Sequence, residues 1–278
     1  MKSVGTWFFI FLVAYQFTFY SVLARVRPVL GDSWIQSPWF LILLQMLALL
    51  LPLFIWLAVK RERFRDHIPN KKLGITNTAY IITISFFLLP FMSLISALST
   101  FLAPNAAADA LGQMQPYSVW ALLLAVAVTP AVVEEIVFRG YIQSQYTGWA
   151  FWKVALLNGF MFGLIHMNIQ QFFYAFAMGV VMAYFVYHTR SIRAGILSHF
   201  FLNAINIVMF RLAAWYISWA DENIYDTTLQ EAAEVSAWAT IRAVGVLTLA
   251  FLPIAFVLFK AFISYNRART AHEGDGTE

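Results

Sequence analysis

The sequence predicts an all-α fold, a polytopic transmembrane helical bundle of about eight helices with a site inside the bundle. Three observations carry this: an apolar composition, a succession of long apolar runs, and cations gathered between those runs. Of 278 residues, 61% are apolar and 12% charged, where a soluble domain carries about 25% charged residues. With a mean hydropathy of +0.71 and 27 Phe, 12 Tyr and 10 Trp, much of the surface needs a solvent other than water, which a bilayer supplies. The runs are continuous instead of alternating at every second residue, so helices are expected over barrel strands.

A helix needs about 20 apolar residues to cross about 30 Å of hydrocarbon. Runs of roughly that length cover residues 7–23, 39–59, 79–103, 117–133, 151–167, 172–188, 194–219 and 238–263. The first is long, aromatic and without a small-x-small cleavage site, so it reads as a membrane anchor and not a signal peptide. Its Trp7, Phe8, Phe9 and Phe11 read as an interfacial aromatic belt, with the lining of a lipid-substrate entrance as the alternative. The fifth and sixth runs are short for full spans, and Asn168-Ile169-Gln170-Gln171 between them reads as a polar turn in a protein-lined cavity. No repeat and no Pro-rich or Ser-rich linker divides the chain. Residues 1–269 are therefore expected to form one transmembrane domain, and the polar residues 270–278 a disordered tail.

Charge placement sets the orientation, because short loops rich in Lys and Arg stay cytoplasmic. The loop after the second run holds Lys60, Arg61, Arg63, Arg65, Lys71 and Lys72; Arg190 and Arg193 follow the sixth, and Arg267 and Arg269 the last. The other side has Arg25, Arg27, Asp109 and the acidic Asp221, Glu222, Asp226, Glu231 and Glu234. Both termini are expected to be cytoplasmic. The formal charge of +4 thus has a topological origin, and no nucleic-acid partner is expected. The chain has no Cys, which excludes disulfides, thiolate-ligated zinc, iron-sulfur clusters and a cysteine nucleophile.

Glu134 and Glu135 follow the apolar run 117–133 and precede Ile136, Val137 and Phe138, at or just inside the membrane boundary. An ionised group at mid-bilayer costs about 2.5 to 3.5 kcal/mol on insertion scales, so two side by side demand a reason. Snorkelling at an interfacial end is the plain one, but Glu is short and the segment stays apolar to Phe138. Residues 135 and 139 are i and i+4 on a helix, so Arg139 can pair with Glu135 and lower its burial cost. Glu134 then points about 100° away, free for chemistry. Pro130, one turn earlier, removes a backbone hydrogen bond and allows a kink or local widening.

His166 and His199 lie within apolar runs, each sharing a helical face with a residue four away, Phe162 and Asn203. A lone buried His is more often structural, but two His, two Glu, an Arg and an Asn on three neighbouring segments form a set, since intramembrane ionisable groups face one another. His188, beside Thr189 and Arg190, reads as interfacial; His67 and His272 have no visible role. If the segments carrying Glu134 and His166 form a hairpin turning near 147–150, the two residues are level. His199, about 10 Å past Arg193 at 1.5 Å per residue, puts the set nearer the cytoplasmic side. Counting from the hairpin puts His166 deeper than His199.

Two imidazoles and a carboxylate, His166, His199 and Glu135, suit a zinc ion with an open position for water, whose proton a second Glu can take. Without a metal, Glu134 and His166 can activate water directly. The Asn203 amide, with His199, suits an oxyanion. Either way the reaction class is hydrolysis, most plainly of an amide. His-Glu-x-x-His and Gly-x-Ser-x-Gly are absent, and Ser198 beside His199 is a weak signal because adjacent helical residues diverge.

Glu134-Glu135-Ile-Val-Phe-Arg139, Phe162-Gly-Leu-Ile-His166 and His199-Phe-Phe-Leu-Asn203 together resemble the three ordered motifs of the CAAX-protease and bacteriocin-processing (CPBP, or Abi) intramembrane metalloproteases. The resemblance covers about 130–204, within a core of about 117–210, and shows no departure at these motif residues. It implies an endopeptidase related to the type II CAAX prenyl endopeptidase, acting on a membrane-embedded or lipidated protein or peptide, with a prenylated CAAX-type substrate as the inherited expectation. It implies that Glu134 activates water, that Glu135 with Arg139 supports the site, and that His166 assists or binds metal. His199 and Asn203 would then stabilise the oxyanion, with His199 a further metal ligand. The expected location is a bacterial inner membrane. A proton-coupled transporter is disfavoured by the lack of a repeat between halves and of a comparable ionisable pair in the first three spans; a non-catalytic scaffold or immunity protein of the same fold is the other alternative.

Overall fold

The structure is a computed structural model that describes residues 4–223 and 229–275, with side chains at 32, 213, 216–223, 229–237 and 272–275 left out of the description. His272 and the acidic group from Asp221 to Glu234 therefore lie outside the described side chains. The described residues are helical, without a β-strand. The helices are α1 (Val4–Leu30), α2 (Pro38–Lys60), α3 (Ile75–Ser99), the short α4 (Ala106–Gln113), α5 (Val119–Ile142), α6 (Phe151–Leu164), α7 (Ile169–Thr189), α8 (Ile192–Asn223) and α9 (Leu229–Asp275). Seven of them are long and apolar enough to cross a membrane, and α6, with 14 residues, is the short eighth. The expected integral membrane bundle is what the chain forms. Helix α9 runs to Asp275, into the polar segment that begins at Thr270.

Local chemistry sets the helix boundaries. The side chains of Ser37, Asn105, Ser118 and Asn168 each accept a backbone N–H in the first turn of the helix they precede, which satisfies donors that no carbonyl can reach. Arg61 and Arg190 close α2 and α7 in the left-handed region, at φ of 57° and 51°. Within lipid, close approach has to come from shape. Gly159 of α6 and Gly179 of α7 meet backbone to backbone: a β-carbon on Gly179 would lie 2.8 Å from the Gly159 Cα. One on Gly163 would lie 2.7 Å from the Phe172 carbonyl oxygen.

One end of the bundle gathers the basic segments. The amide of Lys71 donates to Arg190, and that of Ile192 to Pro69. His67 lies 3.1 Å from Ser144, Thr6 lies 2.9 Å from Tyr146, and Asn77 pairs with Asn266 through two side-chain hydrogen bonds. The start of α1, the 61–74 loop, both turns flanking α6 and α7, and the end of α9 thus share one side. This is the side that the sequence reading expects to be cytoplasmic.

Helix α5 is the irregular element. Its segments Leu123–Val128 and Ile136–Ile142 are π-helical and flank an α-helical stretch, Thr129–Glu135, with Pro130 in its first turn. Proline has no N–H to give to the preceding turn, and two carbonyls of that turn accept from side chains of other helices, Val126 from Asn203 at 3.0 Å and Ala125 from Gln45 at 2.9 Å. Thr129 donates to Leu124 at 2.7 Å. The widening expected at Pro130 is therefore present, held by three side chains.

Candidate active site

The widened helix α5 carries the two glutamates into the bundle. It does not end near Val133 but continues to Ile142, so Glu134 and Glu135 stand about two turns inside the span and not at its edge. The apolar run could not mark this end because the helix continues past its charges, and the charges are compensated internally. Arg139 Nη1 donates to Glu135 Oε1 at 2.8 Å, with both side chains 0% exposed. Nη2 donates to the Gly179 carbonyl at 3.0 Å, an acceptor made reachable by the close packing of α6 on α7. The guanidinium also lies 4.4 Å from the centre of the Phe162 ring, a favourable cation–π arrangement.

His199 of α8 stands between the two carboxylates. Its Nδ1 lies 3.1 Å from Glu135 Oε1, and its Nε2 lies 3.8 Å from Glu134 Oε2. A carboxylate only accepts, so Nδ1 carries the hydrogen toward Glu135 and Nε2 is the nitrogen turned to Glu134. A separation of 3.8 Å suits a bridging water better than a direct bond. Glu134 differs from its neighbour in access: its side chain is 13% exposed, against 0% for Glu135. Among the described residues, Glu135 Oε2 is buried without a hydrogen-bond partner and faces Gly195.

His166 departs from the expected position. Helix α6 stops at Leu164, and Met167 adopts φ 50°, so His166 sits in the turn beyond the helix and not on its face. Its Nδ1 lies 2.8 Å from the Phe162 carbonyl, to which it donates, leaving Nε2 as the free lone pair. Among the described residues no hydrogen bond joins His166 to Glu134. The link is Phe162, whose ring meets His166 and His199 edge-on at 5.2 and 5.8 Å. The polar turn after α6 ends at Asn168; Gln170 already belongs to α7, where it donates to Ser96.

Asn203 commits one of its two N–H groups to Val126, so it also holds the widened turn. Ser198 pairs with Ser85 at 2.8 Å inside the bundle, a structural contact. His67, without a visible role in the sequence, joins Glu62 at 3.1 Å and Ser144 at 3.1 Å. Sequence reasoning missed Gly179 and Gly195, although Gly159-x-x-x-Gly163 is a readable sign of close helix packing.

A catalytic zinc site of the expected kind needs three protein ligands around an open position. Among the described residues, no group of three His, Asp or Glu side chains is gathered to hold a metal ion. Glu135, expected as a ligand with His166 and His199, faces Arg139 and His199 with Oε1 and Gly195 with Oε2. The arrangement does not fit a bound zinc; the chemistry it offers is that of carboxylate and imidazole.

No curated protein and no solved structure matches the chain. Residues 116–205 match the family model described as type II CAAX prenyl endopeptidase Rce1-like. The match takes in all six residues of the cluster and bears out the resemblance read from their motifs. Over this membrane-embedded core, the chain is similar to the Rce1-like type II CAAX prenyl endopeptidases, a family of peptidases.

Proposed function

We propose that the chain is an intramembrane endopeptidase that hydrolyses a peptide bond of a membrane-associated substrate, of the prenylated CAAX type, with Glu134 as general base. One observation carries the assignment. Of two adjacent glutamates, Glu135 is immobilised between Arg139 and His199, whereas Glu134 is partly exposed and faces the His199 Nε2.

In this reading Glu134 takes a proton from water as the water oxygen bonds to the scissile carbonyl carbon. The second N–H of Asn203 stabilises the oxyanion, and the His166 Nε2 lone pair orients the water. The proton held by Glu134, relayed through His199 Nε2, passes to the amide nitrogen as the C–N bond breaks. One water is consumed, and a carboxylate and an amine leave. Glu135 and Arg139 fix the His199 ring and its tautomer, as the third member of a catalytic set does elsewhere.

The test is cleavage of a fluorogenic farnesylated CAAX-type peptide by protein in liposomes. Glu134→Gln lowers kcat by about 10²- to 10⁴-fold, the usual contribution of general-base catalysis, in protein that stays folded. Glu135→Gln loses activity together with thermal stability. Full activity in Glu134→Gln contradicts the assignment.

A further inference from the structure

At the basic end of the bundle, a cavity of about 1260 Å³ opens between the 66–71 loop, the start of α6 and the ends of α7 and α9. Lys71, Arg190 and Arg267 converge on it from three separate segments, and Arg139 lies in its wall. Asp66 is the one carboxylate among the described lining residues. The charge rule explains why cations lie on this side, but not why they share a concavity. The apolar wall is aromatic: Phe151 and Tyr187 stack at 3.7 Å between ring centres. Trp149 and Trp152 stand exposed nearby, as aromatic side chains do where a bilayer meets water. Deeper in the wall, the Arg139 Nε is buried without a hydrogen-bond partner among the described residues.

We propose that this cavity binds the headgroup of an anionic phospholipid, its phosphate among Arg190, Arg267 and Lys71 and its chains along the aromatic wall. Basic pockets between transmembrane helices on the cytoplasmic side have the charge and position for such a headgroup. The aromatic wall at the helix ends favours a lipid over a soluble anion, which gains nothing from it. The site is independent of the peptidase reading, although its wall shares Arg139 with the candidate active site.

The test uses full-length protein taken from vesicles of equimolar phosphatidylglycerol and phosphatidylcholine, with retained lipids counted by native mass spectrometry. Wild type is expected to retain phosphatidylglycerol over phosphatidylcholine by about tenfold, in line with the attraction of a few cations for an anionic lipid. Arg190→Gln with Arg267→Gln brings the ratio close to parity, while Arg190→Lys with Arg267→Lys keeps most of the preference and shows that the fold survives. Arg63→Gln with Arg65→Gln removes equal charge from the same side but off the cavity, and leaves the ratio unchanged. No preference in wild type, or an equal loss in the off-cavity pair, overturns the proposal. So does displacement of phosphatidylglycerol from wild type by a soluble peptide with a free C-terminal carboxylate but not by its amide, which would assign the cavity to a peptide end.

Discussion

Gly195 of α8 lies so close to Glu135 that a β-carbon there would collide with the carboxylate oxygen Oε2. The absence of a side chain on one helix thus sets the depth at which a charge on another can sit. Gly195→Ala is expected to shift Glu135 from Arg139 and His199, lowering peptidase activity at least about tenfold and costing about 1 to 3 kcal/mol, as overpacking does. Activity and thermal unfolding of the purified variant check both parts; wild-type values for both contradict this account of the contact.

The Glu135–Arg139 pair is fully buried, so removing one partner strands the other. Arg139→Met is expected to cost about 3 to 5 kcal/mol, and Arg139→Met with Glu135→Leu to recover much of it, since an apolar pair of similar volume replaces a buried ion pair at little net cost. Unfolding measurements on both singles and the double give the coupling. Additive losses argue against direct pairing.

Asn203 has a structural task that can be separated from any catalytic one. Its bond to the Val126 carbonyl holds the turn to which Pro130 gives no N–H. Asn203→Ala alone is expected to cost about 1 kcal/mol or more for the stranded carbonyl. In a Pro130→Ala background, where the backbone has its own N–H, the cost should shrink. Activity should fall in both backgrounds if the second N–H serves the oxyanion. An equal stability cost in both would show that Pro130 is not the reason for the bond.

The donor arrangement predicts a peptidase that does not depend on zinc. Protein dialysed against a chelator is expected to retain its activity, and metal analysis of material purified without chelator to find far less than one zinc per chain. Stoichiometric zinc, lost in His166→Ala and His199→Ala, would show that the imidazoles rearrange around a metal.

Much of the architecture was legible because hydropathy is a long-range signal. Each expected run has a helix at its place, and the i, i+4 spacing of Glu135 and Arg139 gave their ion pair directly. Helix ends were less legible. Ile165 continues the apolar run of α6, yet the chain turns there, and no local property of Leu164-Ile165-His166 marks the stop. The far end of α5 was missed for the opposite reason: two charges suggested a boundary, while Arg139 on α5 and His199 on α8, with Arg139 itself held by the Gly179 carbonyl of α7, allowed the helix to continue. The possibility of a wider turn could be read from Pro130, but the donors that hold it, Gln45 and Asn203, come from other helices. The zinc expectation rested on ligand types; orientation, which sequence does not give, turns the Glu135 oxygens toward Arg139, His199 and Gly195.

The central claim is that Glu134 activates a water molecule for peptide hydrolysis. Cleavage of the farnesylated peptide in ¹⁸O-labelled water, with products read by mass spectrometry, tests it most directly. The account predicts that wild type places one ¹⁸O in each new carboxylate and that Glu134→Gln, equally folded, yields labelled product only at background rate. Labelled product from Glu134→Gln at the wild-type rate, or wild-type product without the label, would contradict it.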